Sequence, residues 1–142
     1  MQGVPLLERK QAIRSMVATL TSAELLALHT ASVVVVPGVA GSLLVPVKLM
    51  LDYVFETAAY VDHGGNLRLV SERWAVTWAQ FGSAGFWDAA ESRFQAYSIG
   101  TNSGTIGGTV GDGLMLNQDT ANPTGGDGIV VATVFFFVVP VS

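Results

Sequence analysis

The alternation of apolar and polar positions along this chain is that of a protein built from strands. Ile13 to Leu20 predicts a first strand. Thr21-Ser22-Ala23-Glu24 then matches a capping box, with Glu24 placed to reach back to the Thr21 backbone, and Leu25, Leu26 and Leu28 carry it into one short helix near residues 22–29. Ala31 to Pro37 is a β-branched run closed by the turn signals Pro37-Gly38 and Gly41-Ser42. Leu43 to Phe55 is the most regular strand. Its odd positions are all apolar or aromatic and its even positions include Pro46, Lys48 and Asp52, which assigns the odd face to the core. Pro46 has no N–H for a ladder, so an edge or a bulge is expected there.

Asp62-His63-Gly64-Gly65-Asn66 is a turn cluster, and Leu67 to Val70 is expected to form a hairpin with what precedes it. Trp74, Val76 and Trp78 alternate as a further strand. Between Phe81 and Tyr97 the pattern supports either a short helix at residues 87–91 or a strand around residues 94–98. Gly100 to Gly128 is rich in glycine and has one apolar knot, Gly113 to Leu116, so it predicts long turns around a short strand. The chain closes on Ile129 to Val141, a strand that does not alternate. Ile129, Val131, Phe135, Phe137 and Val139 lie on one face, and Val130, Ala132, Val134, Phe136 and Val138 on the other. A strand apolar on both faces is covered on both faces, either by another subunit or by the chain's own loops. The first alternative makes Ile129, Val131, Phe135, Phe137 and Val139 an oligomer interface. Together these elements predict an all-β, antiparallel, jelly-roll-like β-sandwich over residues 15–142, preceded by an extended arm at residues 1–14.

Composition sharpens this expectation toward self-association. Only 13% of the 142 residues are charged, against a usual share of roughly 25%. A monomer with so little charge is poorly protected from association. The net charge of −4 disfavours nucleic acid, which needs clustered Lys and Arg. Three of the seven bases, Arg9, Lys10 and Arg14, fall in the arm, while the rest of the chain carries four bases against ten acids. A basic arm on an acidic body suits docking onto an acidic protein surface. Residues 1–10 lack the layout of a signal peptide, and the apolar C-terminal stretch is too short to cross a bilayer as a helix, so no membrane partner is expected.

Candidate chemistry is sparse. There is no cysteine, so no disulfide and no thiolate site. His29 follows the capped helical turn, where a stabilising role is expected. His63 sits beside Asp62 in a turn, and no Gly-x-Ser-x-Gly elbow accompanies the pair. Asp112, Asp119 and Asp127 are the carboxylates available to calcium, but they lack the spacing of an EF-type loop. The Gly104–Gly111 run lacks the Gly-Lys-Ser/Thr of a phosphate loop. Asp88 and Glu91, near Phe86 and Trp87, are the one carboxylate pair with the surroundings of a sugar site, for a polysaccharide hydrolase or a glycan-binding knob. The expectation from the residues is a non-catalytic chain without cofactor or metal.

One stretch also carries a resemblance. Leu20 to Val70 contains Leu-Thr-Ser-Ala-Glu-Leu-Leu-Ala-Leu, a β-branched run to Val-Pro-Gly, then Gly-Ser-Leu-Leu-Val-Pro-Val-Lys and Ala-Ala-Tyr…Gly-Gly-Asn-Leu-Arg-Leu. It resembles small structural proteins encoded among the head genes of tailed bacteriophages. The resemblance covers about a third of the chain and implies a capsid decoration (cement) protein, or a head-fibre or spike base. Such a protein is expected as a homotrimeric β-sandwich on the capsid exterior, bridging copies of the major capsid protein and carrying no catalytic residues. The receptor- or glycan-binding knob of a fibre is the alternative.

Overall fold

The computed structural model describes residues 12–73, 76–99 and 109–141. In chain order they form β1 (Arg14–Leu20), α1 (Ser22–Leu26), β2 (Val33–Val36), β3 (Ser42–Val54), β4 (Asn66–Ser71), β5 (Thr77–Gly82), β6 (Arg93–Ser98), β7 (Leu114–Gln118) and β8 (Ile129–Pro140). Two four-stranded antiparallel sheets result, ordered β1-β8-β3-β6 and β2-β7-β4-β5. The chain pairs with itself as one nested hairpin: β1 with β8, β2 with β7, β3 with β6 and β4 with β5. Successive pairs fall in alternate sheets, and β3–β8 and β4–β7 ladders join them. The expected jelly-roll sandwich is therefore the architecture found.

The local signals explain most of the elements. Thr21 caps α1 by accepting the Glu24 N–H, while the Glu24 carboxylate accepts the Thr21 N–H at 2.9 Å. The helix ends at Leu26 rather than near residue 29, because Leu28, Thr30 and Ala31 continue as turns bonded to the carbonyls of Leu25 and Ala27. Between the sheets, Leu20, Leu49, Leu51 and Tyr53 meet Leu67, Leu69, Leu114 and Leu116, all at most 3% exposed.

Three expectations are corrected. The odd face of β3 is buried only from Leu49 onward, at Leu49, Leu51 and Tyr53; before that the buried positions are Ser42, Leu44 and Pro46. The cause is a bulge: Pro46 faces Phe136 and Lys48 faces Phe135, so Val47 is extra and inverts the phase. Pro46 also lies just outside the β3–β6 pairing, which begins at Lys48. Second, β4 forms no hairpin with β3. The chain crosses to the other sheet through residues 55–65, and β4 pairs with β5 and β7. Third, residues 87–91 form turns, not a helix, and β6 follows. Trp74 and the Gly104–Gly108 part of the glycine run lie outside the described residues.

Candidate functional site

Residues directly opposite in an antiparallel ladder share a side of the sheet, so the registers sort β8 into two faces. Val130, Ala132, Val134, Phe136 and Val138 are buried against the second sheet, beside Tyr53, Leu51, Leu49, Pro46 and Leu44 of β3. Ile129, Val131, Phe135 and Phe137 are half-buried on the outer side, and Val139 is exposed. All five residues expected at an interface therefore share one outward face.

That face extends beyond β8. The registers add Leu43, Val45 and Met50 from β3, Val17 from β1 and Phe94 from β6. Val17 is 61% exposed and Phe94 60%. Lys48 and Asp52, two positions either side of Met50, are the charged residues among these registered positions. A reading of the even positions of β3 from Pro46, Lys48 and Asp52 alone assigns that face to solvent. Met50 is the residue that this reading passes over, and strict period-two alternation flags it. Of the expected docking residues, Arg14 opens β1 and is exposed, whereas Arg9 and Lys10 lie outside the described residues.

The candidate chemical groups are not brought together. Asp62 directs its carboxylate away from a role on His63: it accepts the Ser83 hydroxyl, the Trp87 Nε1–H at 2.9 Å and the Gly64 N–H at 3.2 Å. His63 Nε2 lies 2.9 Å from Thr124 Oγ1 instead. His29 donates from Nδ1 to the Gln118 carbonyl at 2.8 Å, and its backbone N–H meets Asn122 Oδ1 at 2.7 Å, so it staples the turn after α1 to the end of β7. Asp88 accepts the Gly85 N–H, and Glu91 pairs with Arg93 at 2.7 Å. Phe86 and Trp87, which a glycan-binding knob at this place would need exposed, are 2% and 0% exposed. They belong to a core cluster in which Tyr53, Tyr60, Phe81 and Tyr97 pack ring to ring at centroid distances of 5.4–6.2 Å.

The three carboxylates offered to calcium each fasten a different loop. Asp112 bonds the Arg73 N–H and pairs with its guanidinium at 3.0 Å. Asp119 accepts the Asn66 N–H at 2.7 Å and its amide at 3.0 Å. Burial pushes its carboxyl up, but those bonds, Thr120 and the Arg68 charge more than offset this, leaving the group below the usual range. Asp127 accepts the Thr57 hydroxyl and the N–H groups of Ala58 and Thr57, which also hold its carboxyl low. Among the described residues no three His, Asp or Glu side chains group as metal ligands. Next to Asp127, the buried Tyr60 hydroxyl donates to the Gly128 carbonyl at 2.6 Å. Burial first, then Tyr53 and Asp127, pushes it up to about 12.

What remains as a site is a surface, not a pocket of reactive groups: the apolar outer face of the first sheet. No protein-family model matches this chain, and neither the curated proteins nor the solved structures compared with it give a match.

Proposed function

We propose that this protein is a self-assembling structural subunit of a virion, a capsid decoration protein whose copies meet through the outer face of the β1-β8-β3-β6 sheet. The observation that carries the reading is that face itself. Phe135, Phe137, Val131 and Met50 stand on the outside of a sheet whose inner side already contains the core. These side chains are half-buried already, and covering the apolar area they still expose contributes roughly 25 cal/mol per Å² before the costs of association. The sparse charge of the whole chain supports the same reading.

Membership of a virion rests on the resemblance of Leu20–Val70 to phage head proteins, and a jelly roll is an architecture that capsid components use. In this reading the protein is a homotrimer on the capsid exterior, and Arg9, Lys10 and Arg14 dock onto an acidic surface of the major capsid protein. The burial of Trp87 and Phe86 weighs against a glycan-binding knob centred there. The local bonds of Asp88 and Glu91 weigh against a hydrolase built on that pair.

Sedimentation of the intact protein tests the assembly: it should run well above the 14.9 kDa chain, and Phe137→Glu should lower that mass. An unchanged mass in Phe137→Glu removes the outer face as the contact. Deleting residues 1–14 should leave the fold and the oligomer intact while abolishing binding to phage heads, and undiminished binding would remove the arm from the account.

A further inference from the structure

Each sheet of the sandwich ends in two edge strands, and three of the four edges are blunted. β2 is four residues long and irregular between Val34 and Val36. The β4–β5 ladder shifts register opposite Val70. β6 begins at Arg93, and its Tyr97 hydroxyl donates to the Gln80 carbonyl of β5 at 2.7 Å, tying those two edges together. β1 has none of these devices. Its seven residues pair with β8 without a register break, and Arg14 is its one charge. Among the described residues, no strand or loop hydrogen-bonds to its far edge.

Such an edge is a template for another strand. Apolar side chains are exposed on both sides of it: Met16, on the core side, is 38% exposed and Val17, on the outer side, 61%. The order of side chains identifies what fits. Ser15-Met16-Val17-Ala18-Thr19 reads polar, apolar, apolar, apolar, polar in both directions. A second β1, antiparallel and centred on Val17, sets Ser15 opposite Thr19, Met16 opposite Ala18 and Val17 opposite itself. Ser–Thr and apolar pairs of this kind are favourable across strands, and no like charges meet. Moving the centre to Met16 sets Ser15 opposite Val17 and Arg14 opposite Ala18, and moving it to Ala18 sets Val17 opposite Thr19, so both neighbouring registers lose the match.

We propose that this edge of β1, to which no described residue bonds, pairs with β1 of a second copy of this chain about a two-fold axis at Val17, joining two first sheets into one. This contact is distinct from the outer face and does not depend on it. Where both operate, edge pairing links one outer-face assembly to the next.

Because the chain has no cysteine, single cysteines report the register. The test uses the full chain carrying Phe137→Glu, so that outer-face association does not contribute. Across the axis, Cα atoms at position 17 stand about 4.5–5.5 Å apart. Those at position 19 stand roughly 14 Å apart, beyond the limit of about 7 Å for a disulfide. Under mild oxidation Val17→Cys should therefore give a disulfide-linked dimer, with at least about tenfold more product than Thr19→Cys. Ser15→Cys combined with Thr19→Cys should also crosslink, while Ser15→Cys alone should not. Equal yields from Val17→Cys and Thr19→Cys, or no dimer from either, overturn the edge pairing. Loss of mass in the Phe137→Glu parent bears only on the outer face, so the two readings fail separately.

Discussion

β8 and the loops gathered at its N-terminal end are neighbours in space and are held by different forces. Along β8 the inner side chains are aliphatic or aromatic, the ladders on both sides are continuous apart from one bulge, and no titratable group lies within the strand. At the loop end the chain is held by point contacts between polar groups: Asp127 on Thr57 and Ala58, Tyr60 on Gly128, and Asp62 on Ser83 and Trp87. Burial in the strand is non-directional and tolerates any apolar residue of similar volume. The loop contacts are directional, and at the buried ones, Tyr60 on Gly128 and Asp62 on Trp87, removing one partner leaves a buried donor or acceptor unpaired. The two regions should therefore respond differently to truncation, to isosteric change and to pH.

The largest expected effect is in the strand. Phe136→Ala empties a site that is 4% exposed and should cost about 3–5 kcal/mol by denaturant unfolding. Phe137→Ala, one residue along on the outer face, should change the stability of a dissociated subunit by less than about 1 kcal/mol. If the two truncations cost the same in a monomeric background, the division of β8 into a core face and a free face is wrong.

The loop end should yield next. Asp62→Ala removes the acceptor for the Ser83 hydroxyl and the Trp87 indole together and should cost about 3 kcal/mol, since the indole N–H is left buried without a partner. Asp62→Asn keeps one acceptor oxygen and should recover part of that loss. The isosteric pair Tyr60→Phe and Tyr53→Phe makes the directional point with almost no change of volume. Tyr60→Phe leaves the Gly128 carbonyl unpaired and should cost about 1–2 kcal/mol. The Tyr53 hydroxyl is buried with no partner among the described residues, so Tyr53→Phe should be neutral or stabilising. Equal costs for the two would show that the ring packing, rather than the hydroxyl bond, sets the stability of this end. The space there is also tight. A Cβ at Gly126 would lie 2.3–2.4 Å from the Tyr60 ring, which is why a glycine stands against that face.

How much of this could be read from the sequence follows the same division. Elements set by local chemistry were legible: the Thr21–Glu24 capping box, β1, the apolar knot that became β7, and β8 as a strand. The phase of β3 was not, because the bulge at Val47 is fixed by the facing β8 and leaves no mark beyond Pro46. Nor was the partner of β4, since a turn of Gly64 and Gly65 serves a sheet crossing as well as a hairpin. The face of β8 that meets the second sheet was also hidden, because Phe135 and Phe136 differ in position and not in kind. At the candidate site, Trp87 beside Asp88 has the composition of a sugar platform. Its burial depends on Asp62, which is distant in sequence, receiving its N–H.

The smallest effect is the one that most cleanly separates the two regions, because it acts on charge alone. Asp119 and Asp127 have folded-state carboxyls held below the ordinary value of about 3.9. A group depressed on folding binds more protons in the unfolded chain. Its stabilisation is therefore fully present above the unfolded value and is lost as pH falls through the folded one. The urea midpoint should accordingly fall as pH drops below about 4, starting with the loops at Asn66 and Thr57 that these carboxylates hold. In the double variant Asp119→Asn with Asp127→Asn, the acid decline should flatten while the midpoint at neutral pH drops. Phe136→Ala should instead lower the midpoint at every pH and keep the acid decline of the unmodified chain. An acid limb that persists unchanged in the double variant would mean that other carboxylates govern it, and the contrast between an apolar strand and a charge-fastened loop end would lose its electrostatic half.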